Sequence, residues 1–149
     1  MDYLPHAKEL FEVFIKIRKQ LRSKKFLENL NFSELIVFGI LLKNKFENED
    51  ALIQVKELSE RMKISRPALN TILNRLEYQD LIKRVRMMDD RRAVFVEMSD
   101  KAYKLYQEEN AKLIGFLNRI VEKMGAEDIK TTINILNKLY NIMKDEVMA

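Results

Sequence analysis

Residues 64–96 have the sequence ISRPALNTILNRLEYQDLIKRVRMMDDRRAVFV. Ser65 is a strong N-cap residue, and Pro67 falls in the first turn of the helix that follows, where a missing N–H costs little. Apolar residues then recur at spacings of three and four as far as Leu76, and mainly polar residues occupy the opposite face. The stretch therefore begins with a helix, from Ser65 to about Tyr78, that can bury one face and expose the other.

Two strands are predicted after this helix, at residues 81–86 and 93–98. Val94, Val96 and Met98 alternate with Phe95 and Glu97, and a period of two is typical of a strand with one buried face. The turn between the strands contains MMDDRR, so the sequence predicts a short hairpin with an arginine-rich tip.

Helical periodicity dominates the rest of the chain. Asn31 is a good N-cap residue, and Glu34 three positions later completes a capping-box pattern. The other predicted helices cover residues 4–25, 31–45, 54–64, 99–124 and a segment that follows Gly125. We therefore predict a mostly α-helical fold with a small β-hairpin.

Composition restricts the class of protein. The chain has 149 residues, 47% of them hydrophobic, which suits one ordinary domain or two small lobes that share a core. The chain has no cysteine, which excludes a disulfide framework, a thiolate metal site and a thiol redox sensor. Because no apolar run approaches the roughly 18 residues that span a membrane, we expect a soluble, cytoplasmic protein.

Positive charge is concentrated around the helix and the hairpin. The whole chain has a net charge of +4, but residues 61–96 contain nine lysines and arginines against four acidic residues. Residues 47–60 contain one basic residue against five acidic ones. A local basic patch favours a polyanion as partner, although a solvated basic face on a helical protein remains the alternative.

Two helices joined by a short turn, followed by a hairpin, form a winged helix–turn–helix, whose second helix enters the major groove of DNA. Arg66 can bind guanine O6 and N7, Asn70 and Asn74 can pair with adenine, and Thr71 can contact a base or a phosphate. Arg75 is expected to hold a phosphate. The candidate DNA-binding residues of this helix are Ser65, Arg66, Pro67, Asn70, Thr71, Asn74 and Arg75. An ordinary solvated helix face is the alternative for each of them.

The hairpin supplies a second set of candidate DNA contacts. Residues i and i+2 of an extended chain project to the same side, so Asp90 can orient the guanidinium of Arg92 for a narrow minor groove. Arg84 and Arg86 on the first strand can grip phosphates, and Arg91 lies between Asp90 and Arg92. The alternative is a surface ion pair in a basic turn, worth ~0–1 kcal/mol.

The sequence resembles the MarR family of bacterial transcription regulators. The resemblance is carried by VKELSERMKISRPALNTILNRLEYQDLIKR and by DRRAVFVEMS, which match the family's winged helix–turn–helix over about residues 55–98. The wing pattern Asp-x-Arg, alternating apolar residues and a Ser or Thr helix start is matched by Asp90, Arg92, Val94, Val96 and Ser99. LNFSEL, at the start of the second helix, resembles the family's L-T-x-x-Q/E, and the terminal helices match by position.

The resemblance implies a homodimer that places two recognition helices in successive major grooves of a palindromic operator, ~34–36 Å apart. Residues 1–30 and 100–149 would form the helical dimerisation region, and residues 31–99 the DNA-binding domain. Apolar stripes on the terminal helices also favour a dimer over a monomeric bundle. The family commonly represses transcription and releases DNA when a small-molecule effector binds. No ligand site is assigned; Phe11, Phe14, Tyr103 and Tyr106 either line a cleft or pack in the core.

This sequence departs from the family pattern at three positions. Asp80 stands where the family usually has glycine, and aspartate enters left-handed conformations more readily than most residues do. Ala102 replaces another frequent glycine, and Ser59 takes a usual alanine position. None of these changes removes a presumed DNA contact.

Two other functions stay open, namely a DNA-binding regulator that responds to no ligand and a winged-helix module that binds an acidic protein. An enzyme is not supported, because the sequence has no phosphate-cradling glycine-rich loop, no cysteine nucleophile and no histidine motif. We expect no cofactor and no metal site, since His6 is the only histidine.

Overall fold

The computed structural model describes residues 3–23, 26–49, 52–90 and 92–148. These residues form helices and strands in the order α1 (Leu4–Arg22), α2 (Phe32–Glu47), β1 (Ile53–Gln54), α3 (Val55–Met62), α4 (Arg66–Tyr78), β2 (Ile82–Arg86), β3 (Val94–Met98), α5 (Asp100–Met124) and α6 (Ala126–Met148). The chain divides into two compact units, Met1–Ala111 and Lys112–Ala149. The predicted fold class is confirmed. The first helix is shorter than predicted, because the backbone of Ser23 is extended.

The hairpin is one part of a three-stranded antiparallel sheet with the strand order β1-β3-β2. Val96, in the central strand, lies opposite Arg84 of β2 on one side and Ile53 of β1 on the other. The sequence did not predict β1, because two residues are too few to show a strand period.

The core of the first unit lies where α2, α3 and α4 pack on this sheet. Its fully buried side chains include Phe38, Leu58, Leu69, Leu73, Leu76 and Val96. The apolar face predicted for α4 is therefore the buried one, and the helix is fixed against the sheet with its polar face outward. Phe38 also meets Tyr106 of α5 edge-on, with ring centroids 6.4 Å apart, so Tyr106 belongs to this packing.

Side-chain caps begin α2 and α4 as the sequence predicts. Asn31 Oδ1 accepts a hydrogen bond from the backbone N–H of Glu34 at 2.9 Å, and Asn31 Nδ2 donates to Glu34 Oε1 at 2.7 Å. Ser65 Oγ accepts from the backbone N–H of Ala68 at 3.3 Å. Asp80, which follows α4, has a φ of 58°, so the left-handed turn expected at this residue is confirmed.

A buried carboxylate ties the segment before α2 to α5. Glu109 is 0% exposed, and its Oε2 accepts hydrogen bonds from the backbone N–H groups of Glu28, Asn29 and Leu30 at 3.0, 3.2 and 3.4 Å. A charged acceptor that satisfies several backbone donors is a strong local constraint. The 26–30 segment is therefore fixed by a residue about 80 positions away.

Two terminal helices, α1 and α6, leave their apolar residues uncovered. Neither helix contains a buried residue. The exposed apolar residues of α1 include Leu10, Phe11, Ile17 and Leu21, and those of α6 include Ile133, Leu136, Tyr140 and Met143. Among the described residues, no helix combines the length and the hydropathy that a membrane span requires.

Candidate nucleic-acid interface

A basic groove lies between α4, the hairpin and the start of α3. It encloses about 410 Å³. Five basic side chains line it, along with one acidic side chain, Asp90; the basic residues are Lys56, Arg66, Arg84, Arg86 and Arg92. The groove is therefore a concave surface with an excess of positive charge, which suits a polyanion.

The polar face of α4 contributes Arg66 and Asn70 to the basic groove. Both side chains are exposed, as are those of Thr71 and Asn74, while Leu69 between them is buried. The hydroxyl of Thr71 donates to the carbonyl oxygen of Pro67 at 3.1 Å, which leaves its methyl group and its oxygen lone pairs for an outside partner. This is the arrangement of a helix with one face anchored in the core and one face presented to a ligand.

Arg75, near the end of the same helix, points towards α2. Its Nη1 lies 3.1 Å from Oε1 of Glu34, which is 1% exposed, and the side chain of Arg75 itself is 51% exposed. Arg75 does not line the basic groove. Its predicted contact with a phosphate stays a prediction, and the structure adds a second role, an ion pair between α4 and α2.

Burial raises the pKa of the Glu34 carboxyl, although the Arg75 guanidinium and a backbone hydrogen bond within the Asn31 cap oppose the increase. One of its oxygens, Oε2, is buried without a hydrogen-bond partner among the described residues. Burial therefore makes the charged carboxylate form less stable than it is in water, because the loss of hydration outweighs the attraction of the arginine.

Replacing Glu34 by glutamine is expected to remove a pH dependence of stability. Because the folded-state pKa lies above the ordinary value of 4.5, this group favours folding most strongly below pH 4.5, and that contribution is lost as the pH rises through the raised pKa. Glutamine keeps the hydrogen bond with Asn31 and carries no charge to desolvate. The Glu34→Gln variant should therefore gain stability relative to the wild type as the pH rises through this range, and the difference should level off above it. Urea unfolding at a series of pH values measures this difference.

Glu57→Gln is the matched control for this experiment. Glu57 forms an i, i+4 ion pair with Arg61 on α3, and both side chains are partly exposed. Its removal should change stability by ~0.5 kcal/mol or less, because exposed pairs contribute little. A stability difference between Glu34→Gln and the wild type that does not vary with pH would contradict the raised pKa.

The tip of the hairpin differs from the prediction in its hydrogen bonding. Asp90 Oδ1 accepts from the backbone N–H of Arg92 at 3.0 Å, and among the described residues no ion pair joins this carboxylate to the Arg92 guanidinium. The predicted guanidinium contact is wrong, because the short aspartate side chain reaches the backbone donor two residues on first. Asp90 thus shapes the turn through the backbone, and the exposed guanidinium of Arg92 makes no ion pair with the Asp90 carboxylate. Arg91 lies outside the described residues.

Arg84 on β2 is turned towards α4. Its guanidinium donates to Asn74 Oδ1 at 2.9 Å and to the backbone carbonyl oxygen of Asn70 at 3.4 Å, and it lies 3.9 Å from Oε1 of Glu77. Arg86, two residues further along the same strand, is exposed and lines the basic groove. The two strand arginines that were predicted to grip phosphates therefore occupy different environments.

Sequence reasoning missed the contribution of β1 and the start of α3. Gln54, Val55 and Lys56 line the basic groove, and Lys56 is exposed. One signal was available, since Lys56 is the one basic residue within the acidic segment 47–60. No cluster of metal-binding side chains occurs among the residues that the structure describes.

Comparison with known proteins identifies the family. The model of the SarA/Rot transcriptional regulators matches residues 19–109. The HTH-type transcriptional regulator FarR of Neisseria gonorrhoeae is 29% identical over 94 residues, which cover 63% of this chain and 64% of FarR. The chain thus spans just under two thirds of FarR. The uncharacterized HTH-type transcriptional regulator YwhA of Bacillus subtilis (strain 168) is 26% identical over 83% of this chain and 88% of YwhA.

Solved structures confirm the MarR-type fold. A point mutant of MarR from E. coli, complexed with operator DNA, superposes with a TM-score of 0.70 at 18% identity and covers 91% of this chain and 94% of MarR. The regulator PcaV from Streptomyces coelicolor, in complex with its natural ligand, superposes with a TM-score of 0.72 at 13% identity. The match covers 95% of this chain and 96% of PcaV. The family match covers more than half of the chain, and the fold presents α4 beside a basic hairpin. The chain therefore belongs to the SarA/Rot family of transcriptional regulators, which are DNA-binding proteins with the MarR-type winged helix–turn–helix.

Proposed function

We propose that the protein is a homodimeric repressor that binds a palindromic operator in double-stranded DNA by sequence. The observation that carries this proposal is the basic groove, which joins the polar face of α4 to the hairpin. Its concave shape and its five basic side chains suit the phosphate backbone. The cytoplasm is the compartment in which such a protein would meet its operator.

Base reading is assigned to the N-terminal half of α4, which enters the major groove in this arrangement. Arg66 and Asn70 are exposed and line the basic groove, so they supply the contacts to base edges. Arg92, in the hairpin turn that the Asp90 hydrogen bond shapes, would reach the adjacent minor groove. Arg86 and Lys56 would hold phosphates, which fixes the position of the protein on the duplex.

Dimerisation is assigned to residues 1–30 and 100–149, and DNA binding to residues 31–99. The support is the set of apolar side chains on α1 and on α6, which no part of the described chain buries. Exposed apolar faces of this extent mark interaction surfaces in proteins. Two copies would present their α4 helices to half-sites ~34–36 Å apart.

Release from DNA by a small-molecule effector is a further part of the proposed function. A cavity of about 420 Å³ lies between the end of α2 and the start of α5, and its lining includes Leu42, Lys45, Phe46 and Tyr103. Glu49 and Asp100 line the same cavity as Lys45, so its charged groups suit a ligand with a cationic group, and the two aromatic rings would contact the apolar part of that ligand. A regulator that responds to no ligand is the second candidate, and it would bind DNA in the same way.

Selection from a randomised duplex library, at near-physiological salt, tests the proposal. The expected result is an enriched two-fold palindrome whose half-sites lie about one helical turn apart. Arg66→Ala should weaken binding to the selected site by about tenfold or more and should relax its sequence preference, because a bidentate contact to guanine carries ~1–3 kcal/mol. Folded protein that enriches no sequence would contradict the proposal and favour a protein-interaction module.

A further inference from the structure

The two asparagines on the exposed face of α4 differ in what they can offer a base. Asn74 is exposed, but its Oδ1 already accepts a hydrogen bond from Arg84 Nη1 at 2.9 Å. Asn70, one turn earlier, gives only its backbone carbonyl oxygen to Arg84, at 3.4 Å. No hydrogen bond occupies the side-chain amide of Asn70 among the described residues, so its oxygen and its nitrogen are both available.

Arg84 is fixed more firmly than a surface arginine. Its side chain is 25% exposed, and its guanidinium is shared between Asn74, the backbone of Asn70 and, at 3.9 Å, Glu77. It lies within a paired strand, opposite Val96. Arg84 is thus held by several partners on α4 and by the strand that carries it. The fixed arginine in turn holds the Asn74 carboxamide in one orientation.

This orientation changes the recognition chemistry of Asn74. An asparagine pairs with adenine by accepting from the N6 amino group and donating to N7, which requires both ends of the amide. Arg84 takes one of the two lone pairs of the Asn74 oxygen and turns that oxygen towards β2. The end of the amide left to face the major groove is the NH₂ group, which donates only. The major-groove atoms that match a donor are O6 and N7 of guanine, O4 of thymine and N7 of adenine, whereas cytosine presents a donor.

We propose that Arg84 is a positioning residue that makes Asn74 a hydrogen-bond donor to the major groove, with guanine as its best base and cytosine as its worst. Asn70 keeps the adenine-type pairing. Arg84 thus acts on base preference through Asn74, and its guanidinium does not contact a DNA phosphate. The inference rests on the proposed sequence-specific binding of DNA.

The test is a binding profile on duplexes in which each operator position carries each of the four base pairs. The wild type, Arg84→Met, Asn74→Ala and the double variant are compared at one salt concentration. Methionine keeps most of the aliphatic stem of arginine and removes the donors. In the Arg84→Met variant, the position read by Asn74 should shift from guanine towards adenine by about tenfold. The double variant should have the same profile as Asn74→Ala, since Arg84 acts only through Asn74.

Two further variants separate positioning from charge and from folding. Arg86→Met removes the same charge from the same strand, and it should weaken binding to all duplexes by a similar factor. Asn74→Asp keeps an acceptor for Arg84 but has no amide donor, so it should abolish the guanine preference even if Arg84→Met folds poorly. A uniform loss of affinity in Arg84→Met, with an unchanged base profile, would overturn the positioning role of Arg84 and leave the proposed function standing. A flat profile for the folded wild type would overturn the proposed function as well.

Discussion

Raising the salt concentration from 50 to 200 mM is expected to weaken binding to duplex DNA by a factor of about 10³–10⁵. The basic groove of each chain has exposed basic side chains at Lys56, Arg66, Arg86 and Arg92. A random duplex offers no matched bases to Arg66 and Arg92, so all four side chains of each of two chains would pair with phosphates. That gives roughly six to ten phosphate contacts, and each contact would release condensed counterions from the DNA. Fluorescence anisotropy of a labelled random duplex, titrated at five salt concentrations, gives the slope of log K against log salt.

Two variants make the salt experiment specific to the basic groove. Arg86→Ala should make the slope less steep by about 0.9 for each chain bound, because one phosphate contact per chain is lost. Lys45→Ala removes the same charge from the cavity between α2 and α5 and should leave the slope unchanged. A wild-type slope near zero would contradict DNA binding by the basic groove, and equal effects of the two variants would contradict its location.

Replacing Glu109 by alanine is expected to lower the free energy of unfolding by about 3 kcal/mol. The change leaves three backbone N–H groups, at Glu28, Asn29 and Leu30, without their carboxylate acceptor. Water can reach the first two, which are at exposed residues, but Leu30 is 3% exposed and its N–H would lose its partner inside the protein. Urea unfolding followed by circular dichroism at 222 nm measures the loss.

Glu108→Ala is the control for this substitution, because Glu108 is the exposed neighbour on the same helix. It should change stability by ~0.5 kcal/mol or less. Glu109→Gln should fall between the two, since its amide oxygen still accepts but without the charge that strengthens these hydrogen bonds. A loss below ~1 kcal/mol in Glu109→Ala would mean that the 26–30 segment does not depend on this carboxylate.

Local signals made the helix and the hairpin predictable from the sequence. The cap at Ser65 and the apolar spacing through Leu69, Leu73 and Leu76 fixed the start and the buried face of α4, and both are confirmed. The alternation around Val96 likewise predicted the strand β3, in which Val96 is buried and Glu97 is exposed. Each of these signals lies within a few residues of the feature that it predicts, which is the range over which periodicity and capping act.

Contacts between distant segments were not predictable in this way. Arg84 meets Asn74 across ten positions. Arg75 of α4 meets Glu34 of α2 although β1 and α3 lie between them in the sequence, and no periodicity predicts such a contact. Both arginines were therefore assigned to phosphates on charge alone, although each has a partner within the protein. The same limit hid Glu109, whose acidic character is typical of a solvated helix face and whose burial depends on packing with the 26–30 segment.

The uncovered apolar faces of α1 and α6 have a consequence for how the regulator would respond to its own abundance. If two chains must associate before either can grip an operator, the concentration of active species below the association midpoint rises with about the square of the chain concentration. Halving the rate of synthesis would then reduce operator occupancy by about fourfold rather than twofold. Gene dosage and proteolytic turnover would therefore control transcription through a threshold, without any change in the affinity of the helix for its bases.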